Sequence, residues 1–402
     1  MTSLGESEVV LVDPDGDLIL EVGKEHDLTE NNVKVSQSNK GDLDAAQQQT
    51  AKSKVLRIRV CSKLMMMCSP VFKAMLNGPF REGQLSLNAA EPPILKLPDD
   101  EPGAMGELCK ILHHKCDIDV DVFPACAVST SIAADKYGCA TITRSWFHHQ
   151  LLRKIATGGA YSRLALARLI VISYILDDVE AFYFFSIQAY KRWRTKKDEN
   201  DAFIFEISSN HLPHKVSELL EQAAETYLGE LITRNRGVIG DILGDRSEDD
   251  RAINFTIYTL NREVEFLKVG REGVGMVAQY IQGLIEFGLW PPQRGGGQPA
   301  SLEEAICVVR QLATHMRGEQ TQCNDKDCWT CRLHWGVVIR AMIDRFEQGL
   351  HGLCLVCLKR GDLSASNILI NCKEHNNRLA TGAFVDWRRD TREYATLGDY
   401  EE

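Results

Sequence analysis

A stretch with nothing to bury sets the first limit on how this sequence can fold. Residues 24–53 are polar and rich in Glu, Asn, Gln, Ser and Asp, so they have no core to contribute and read as a disordered insertion. Strand-like runs lie on either side. Residues 17–22 (DLILEV) follow the turn signal Pro14-Asp15-Gly16. Residues 54–60 (KVLRIRV) alternate Leu56, Ile58 and Val60 with Val55, Arg57 and Arg59, the pattern of a half-buried strand. The two runs are expected to pair across the insertion, because closure entropy grows only slowly with loop length.

The pattern then turns helical. Leu64, Met67, Cys68, Val71, Phe72, Met75 and Leu76 recur at helical spacing, interrupted by Ser69-Pro70. A Ser N-cap ahead of a Pro at the first helical position predicts two short helices meeting at an angle. Ile94–Leu97 reads as a third strand ended by Pro98. A helix is predicted over 103–114, with Met105, Leu108, Cys109 and Leu112 on one face and His113-His114 as surface residues in its last turn. Two further helices, 123–137 and 140–152, part at Gly138.

The blocks DGDLILEV (15–22), LRIRVCSKLMMMCSPVFKAML (56–76), FREG (80–83), LKLPDDEPGAMGELCKILHHK (95–115) and IAADKYGC (132–139) together resemble the fungal type of BTB/POZ domain. The resemblance implies an α+β fold in which a small sheet is flanked by helices. It also implies a protein-interaction module that forms homodimers, with an adaptor role such as client recruitment to a cullin-3 ubiquitin ligase or to a transcriptional complex. Phe80-Arg81-Glu82 resembles the hydrophobic-x-acidic element that such adaptors present to the cullin. The implied organisation is an acidic flexible leader (1–14), the BTB/POZ domain (15–152) and a helical region (153–290). A Pro/Gly linker (291–300), a helical Cys/His-rich segment (301–385) and a charged tail (386–402) complete it.

The region 153–290 carries no strand-period run as long as its helical stripe Val216, Leu219, Leu220, Ala223, Tyr227 and Leu231. Gly270-x2-Gly273-x-Gly275 falls in a helical pattern with no strand ahead of it, so it is not read as a dinucleotide fingerprint. His148-His149 are expected at the surface, and the basic run Lys191–Lys197 (KRWRTKK) as a solvated loop. Ser301 and Glu304 form a capping box that starts a helix running to about residue 317.

The net charge is −10, but residues 1–53 hold four basic against eleven acidic side chains, leaving only −3 for the rest. That balance argues against a chain whose main work is coating nucleic acid. The start of the sequence lacks the charge and apolar pattern of a secretory signal, and the longest apolar tract, 164–176, is broken by Arg168. A nuclear or cytoplasmic protein with reduced thiols and no membrane contact is expected.

Six of the thirteen cysteines lie between Cys61 and Cys139 and seven between Cys307 and Cys372. The first group is expected to be small core hydrophobes. The second has ligand-like spacing: Cys354-x2-Cys357 with Cys372-x2-His375, and upstream Cys323, Cys328, Cys331 and His334. Close pairs from two places can complete a tetrahedron, which predicts a closed structural zinc site, with the upstream group as a possible second one. The segment GLCLVC…CKEH (352–375) also looks like the C-terminal cysteine segment of fungal BTB proteins.

A different resemblance overlaps those residues. Gly361-Asp362-Leu363-x3-Asn367-Ile368-Leu369-Ile370 followed by Phe384-Val385-Asp386-Trp387 is similar to segments of aminoglycoside-phosphotransferase-like kinases. It implies Asp362 as catalytic base and Asn367 and Asp386 as magnesium ligands. Arg360 stands where that family has His, and no Gly-rich loop with a nucleotide-binding Lys precedes it. The non-enzymatic adaptor is therefore the leading expectation. The zinc reading predicts at least one zinc per chain by metal analysis and a lower thermal midpoint in chelator; metal-free protein whose midpoint ignores chelator contradicts it.

Overall fold

Alternation along β2 (Leu18–Val22) and β3 (Leu56–Val60) builds the sheet in the computed structural model. The model describes residues 9–24, 55–116, 123–156, 161–194, 211–244, 253–259, 262–269, 271–286, 289, 301–315 and 335–362. β2 and β3 pair antiparallel with Leu20 opposite Ile58, as the sequence predicts across the insertion. β4 (Ile94–Leu97) joins β2 in parallel, and the order is β1-β3-β2-β4. Leu18, Leu20, Val22, Ile58, Val60, Leu95 and Leu97 are buried on one face. On the other, Glu21 receives Arg57 at 2.8 Å and Lys96 at 3.4 Å. The hydrogen bond from Arg57 is the main cause that holds the Glu21 carboxyl below its usual pKa.

The chain is α+β and mostly helical, with a small four-stranded sheet. It divides into two units, Met1–Asp178 and Val179–Glu402. In the first, α1 (Ser62–Cys68), α2 (Pro70–Asn77), α3 (Pro102–Leu112), α4 (Phe123–Lys136) and α5 (Ala140–Ala156) follow the predicted order. This unit also takes in α6 (Arg163–Ile175), which packs on α4, so it runs past residue 152.

In the second unit, α7 (Val179–Lys191), α8 (Lys215–Gly244), α9 (Arg271–Glu286), α10 (Leu302–His315), α11 (Trp335–Gln348) and α12 (Leu355–Arg360) are described. The predicted α8 stripe from Val216 to Leu231 is buried throughout, and Tyr227 stacks on Tyr190 with ring centroids 5.2 Å apart. The Ser301 hydroxyl accepts the Glu304 N–H at 3.2 Å, as a capping box requires. Among the described residues no helix is long and apolar enough to cross a membrane.

Four expectations are corrected. The leader is not structureless throughout, since Val9–Leu11 forms β1, a short edge strand parallel to β3. The region 153–290 holds a β-hairpin pair, β5 (Ile253–Thr259) with β6 (Arg262–Val269) antiparallel to it. Its runs NFTIYT and REVEFLKV do alternate; the longer helical stripe beside them masked that signal. A strand therefore does precede Gly270, but its partner is antiparallel rather than the parallel mate of a nucleotide-binding βαβ unit.

The histidines and the basic run are the third and fourth. His113 is only 7% exposed, and His148 is half-buried with Nε2 3.4 Å from Asp178. In the basic run, Lys191 donates to Glu347 at 2.8 Å, Arg192 to Glu303 at 2.9 Å, and Trp193 is buried. Partners from α10 and α11, distant in sequence, turn the described start of this run, Lys191–Trp193, from a solvated loop into a packed seam, while Arg194 is exposed. Of the first six cysteines, Cys109 and Cys139 are buried and the other four are half-buried.

Ser69 holds the elbow between α1 and α2. Its buried hydroxyl donates to the Tyr137 carbonyl at 2.6 Å and accepts the Phe72 N–H at 3.0 Å. Ser69→Ala should lower unfolding stability by about 2 kcal/mol, because it removes a cap and strips a buried carbonyl of its donor. Chemical denaturation measures this; a loss under about 0.5 kcal/mol contradicts the role.

Candidate functional site: an apolar groove beside the α1–α2 elbow

α2 has two apolar faces. Phe72 and Leu76, four residues apart, point inward and are buried, Phe72 stacking on Tyr137 at 4.6 Å. Val71, Ala74 and Met75, at i, i+3 and i+4, lie on the outer face; Val71 is 37% exposed. A helix whose second stripe is also apolar has one face more than its own core requires.

The chain then folds back over this outer face. Gly78 and Gly83 make the reversal possible: a Cβ on Gly78 would lie 2.2 Å from the Ala74 carbonyl oxygen, and one on Gly83 2.1 Å from that of Gly78. Between them a short 3-10 turn, Arg81–Gln84, begins after Phe80, and the Gly83 N–H donates to the Phe80 carbonyl at 3.0 Å. The result is an open groove of about 510 Å³ lined by Pro70, Val71, Ala74, Met75, Phe80 and Glu82. Phe80 is 62% exposed. The lining is apolar except for one carboxylate, Glu82, at its edge.

The structure thus brings Phe80 and Glu82 of the predicted partner-binding triplet to one groove, and leaves Arg81 exposed outside its lining. The helical walls Val71, Ala74 and Met75 were not singled out from sequence. The spacing that reveals them merges with that of Phe72 and Leu76 in a single apolar run, and only the bend at Ser69 separates the two faces.

Two of the predicted metal ligands are described. Cys354 is buried at the N-cap of α12, and Cys357 lies half-buried in that helix. Cys372, His375, Cys323, Cys328, Cys331 and His334 lie outside the described residues. Among the described residues, no group of three His, Cys, Asp or Glu side chains is arranged to hold a metal ion. Asp362 is exposed just beyond α12, and its N–H caps that helix through the Cys357 carbonyl at 2.9 Å. Asn367 and Asp386 lie outside the described residues.

No family model, no curated protein and no solved structure matches the chain.

Proposed function

We propose that this chain is a BTB/POZ-type interaction protein. Its first unit self-associates and offers the groove beside α2 to a partner helix, with the amino-terminal domain of cullin-3 as the occupant. The observation that carries this reading is the groove itself: an exposed aromatic and a rim carboxylate, two positions apart on a glycine-bracketed turn, facing a second apolar stripe of α2. Exposed aromatics over small apolar walls are what anchor side chains of a partner use, and a lone rim charge sets orientation more than affinity. The sequence blocks that resemble the BTB/POZ domain span the same elements. Lys191 and Arg192, the first two cations of the basic run, are engaged in ion pairs with Glu347 and Glu303. A zinc clip held by Cys354, Cys357, Cys372 and His375 would brace the second unit in this proposal.

Titration calorimetry of the full chain with the cullin-3 amino-terminal domain tests the groove. Wild type should bind, and Phe80→Ala should weaken binding by at least tenfold, roughly 1.4 kcal/mol, with an unchanged thermal midpoint because Phe80 is exposed in the free protein. No binding by wild type, or equal binding by the variant, overturns the assignment.

Self-association rests on a separate feature. β1 is a three-residue edge strand whose Val9 and Leu11 are 37% and 57% exposed, a surface of the kind that pairs with another chain. Light scattering at tens of micromolar should give a dimer mass for wild type and a lower mass for Leu11→Lys; a wild-type monomer refutes dimerisation.

A further inference from the structure

His113 closes α3 and lies against the start of α1. Both of its ring nitrogens are committed to backbone groups. Nδ1 is 2.8 Å from the Cys109 carbonyl oxygen, and the Cys61 N–H points at Nε2 from 3.0 Å. A carbonyl only accepts, so Nδ1 carries the proton; an amide N–H only donates, so Nε2 is bare. One neutral tautomer satisfies both, and the cation satisfies only one. Cys61 is the N-cap of α1 and its side chain makes no capping bond, so His113 supplies a link at that helix start that the cap residue does not.

From this geometry we infer that His113 is an acid-sensitive latch between the end of α3 and the start of α1, closed when the imidazole is neutral and released when Nε2 is protonated. The inference concerns the fold alone and does not rest on the identity of the groove's partner. Release matters because α1 leads through Ser69 into α2.

The surroundings favour the neutral ring on balance. Burial lowers the His113 pKa from the ordinary 6.5, and Lys115 and His114 act in the same direction. The Cys109 hydrogen bond and the Asp13 carboxylate, from the turn after β1, oppose it and are outweighed. Asp17 faces the next residue, accepting the Ser62 N–H and hydroxyl at 2.7 Å each. The Cys109 thiol, pushed up to about 12 by burial, stays protonated throughout the acid range.

The direction follows from linkage. With the folded pKa depressed, the open imidazole takes up a proton first as pH falls below 6.5, while the latched one does not. Latch stability is whole above 6.5, falls through the window below it, and levels off once the latched ring is protonated as well.

Hydrogen exchange of the full chain, read on the peptide containing Cys61 and corrected for the intrinsic rate, measures the latch. Protection in wild type should fall by up to about tenfold per pH unit below 6.5. In His113→Gln, whose amide can offer both a donor and an acceptor, it should stay flat. An equal slope in both proteins, or no slope in wild type, overturns the latch. If the variant does not fold, nitrogen-15 spectra of labelled histidine in wild type decide the matter. A His113 ring protonated on Nδ1 alone at neutral pH supports the latch, and one protonated on Nε2 refutes it.

Discussion

The first unit depends on one buried hydroxyl. Ser69 ends α1, caps α2 and donates to the Tyr137 carbonyl in the turn between α4 and α5. Three elements thereby share a single buried polar contact, which makes it worth more than an exposed cap. The coupling continues outward. Phe72 stacks on the Tyr137 ring, and the Tyr137 hydroxyl donates to Asp100, which also receives Lys136 at 2.6 Å. The bend that exposes Val71, Ala74 and Met75 is thus fixed from behind by contacts that none of those residues makes.

In the second unit the charged residues do work usually given to apolar ones. Glu347 accepts from both Lys191 and Arg310, and Arg310 also reaches Asp344, joining α7, α10 and α11. Lys191 and Glu347 have side chains 15% and 13% exposed. At that burial an unpaired charge costs several kcal/mol, so the pair is retained less for its net attraction than because each partner neutralises the other. The exposed Asp344 end of the network contributes little by comparison.

Local chemistry was legible in the sequence, and distant partnership was not. The strands at 18–22, 56–60 and 94–97 follow from alternation, and the α1–α2 break from Ser69-Pro70, because each signal lies within a few residues of its effect. The stripe on α8 was readable for the same reason. Lys191, Arg192 and His113 were misread because their partners, Glu347, Glu303 and Cys61, lie tens of residues away or more. Nothing in KRWRTKK distinguishes a solvated run from a paired one. The groove was half legible: Phe80 and Glu82 stood out as a triplet, whereas its helical wall could be seen only once the inward side of α2 was known. The hairpin at 253–269 was lost for another reason, since short alternating runs carry less weight than a long helical stripe beside them.

The surroundings of a cysteine decide what its thiol can do. Burial pushes the Cys109 thiol to about 12 and the Cys139 thiol to about 11, and the half-buried Cys68, Cys116 and Cys126 are raised as well. A thiol held that far from ionisation is a poor nucleophile and a poor metal ligand, because either role needs the thiolate. Cys109 and Cys139 therefore act as small core residues, as expected, and Cys68, Cys116 and Cys126 fill half-buried positions. Cys354 is buried as well, at the N-cap of α12, and Cys357 lies half-buried within the first turn of that helix. Burial therefore does not separate Cys354 from the first group, and the close Cys354-x2-Cys357 spacing is the feature that sets this pair apart.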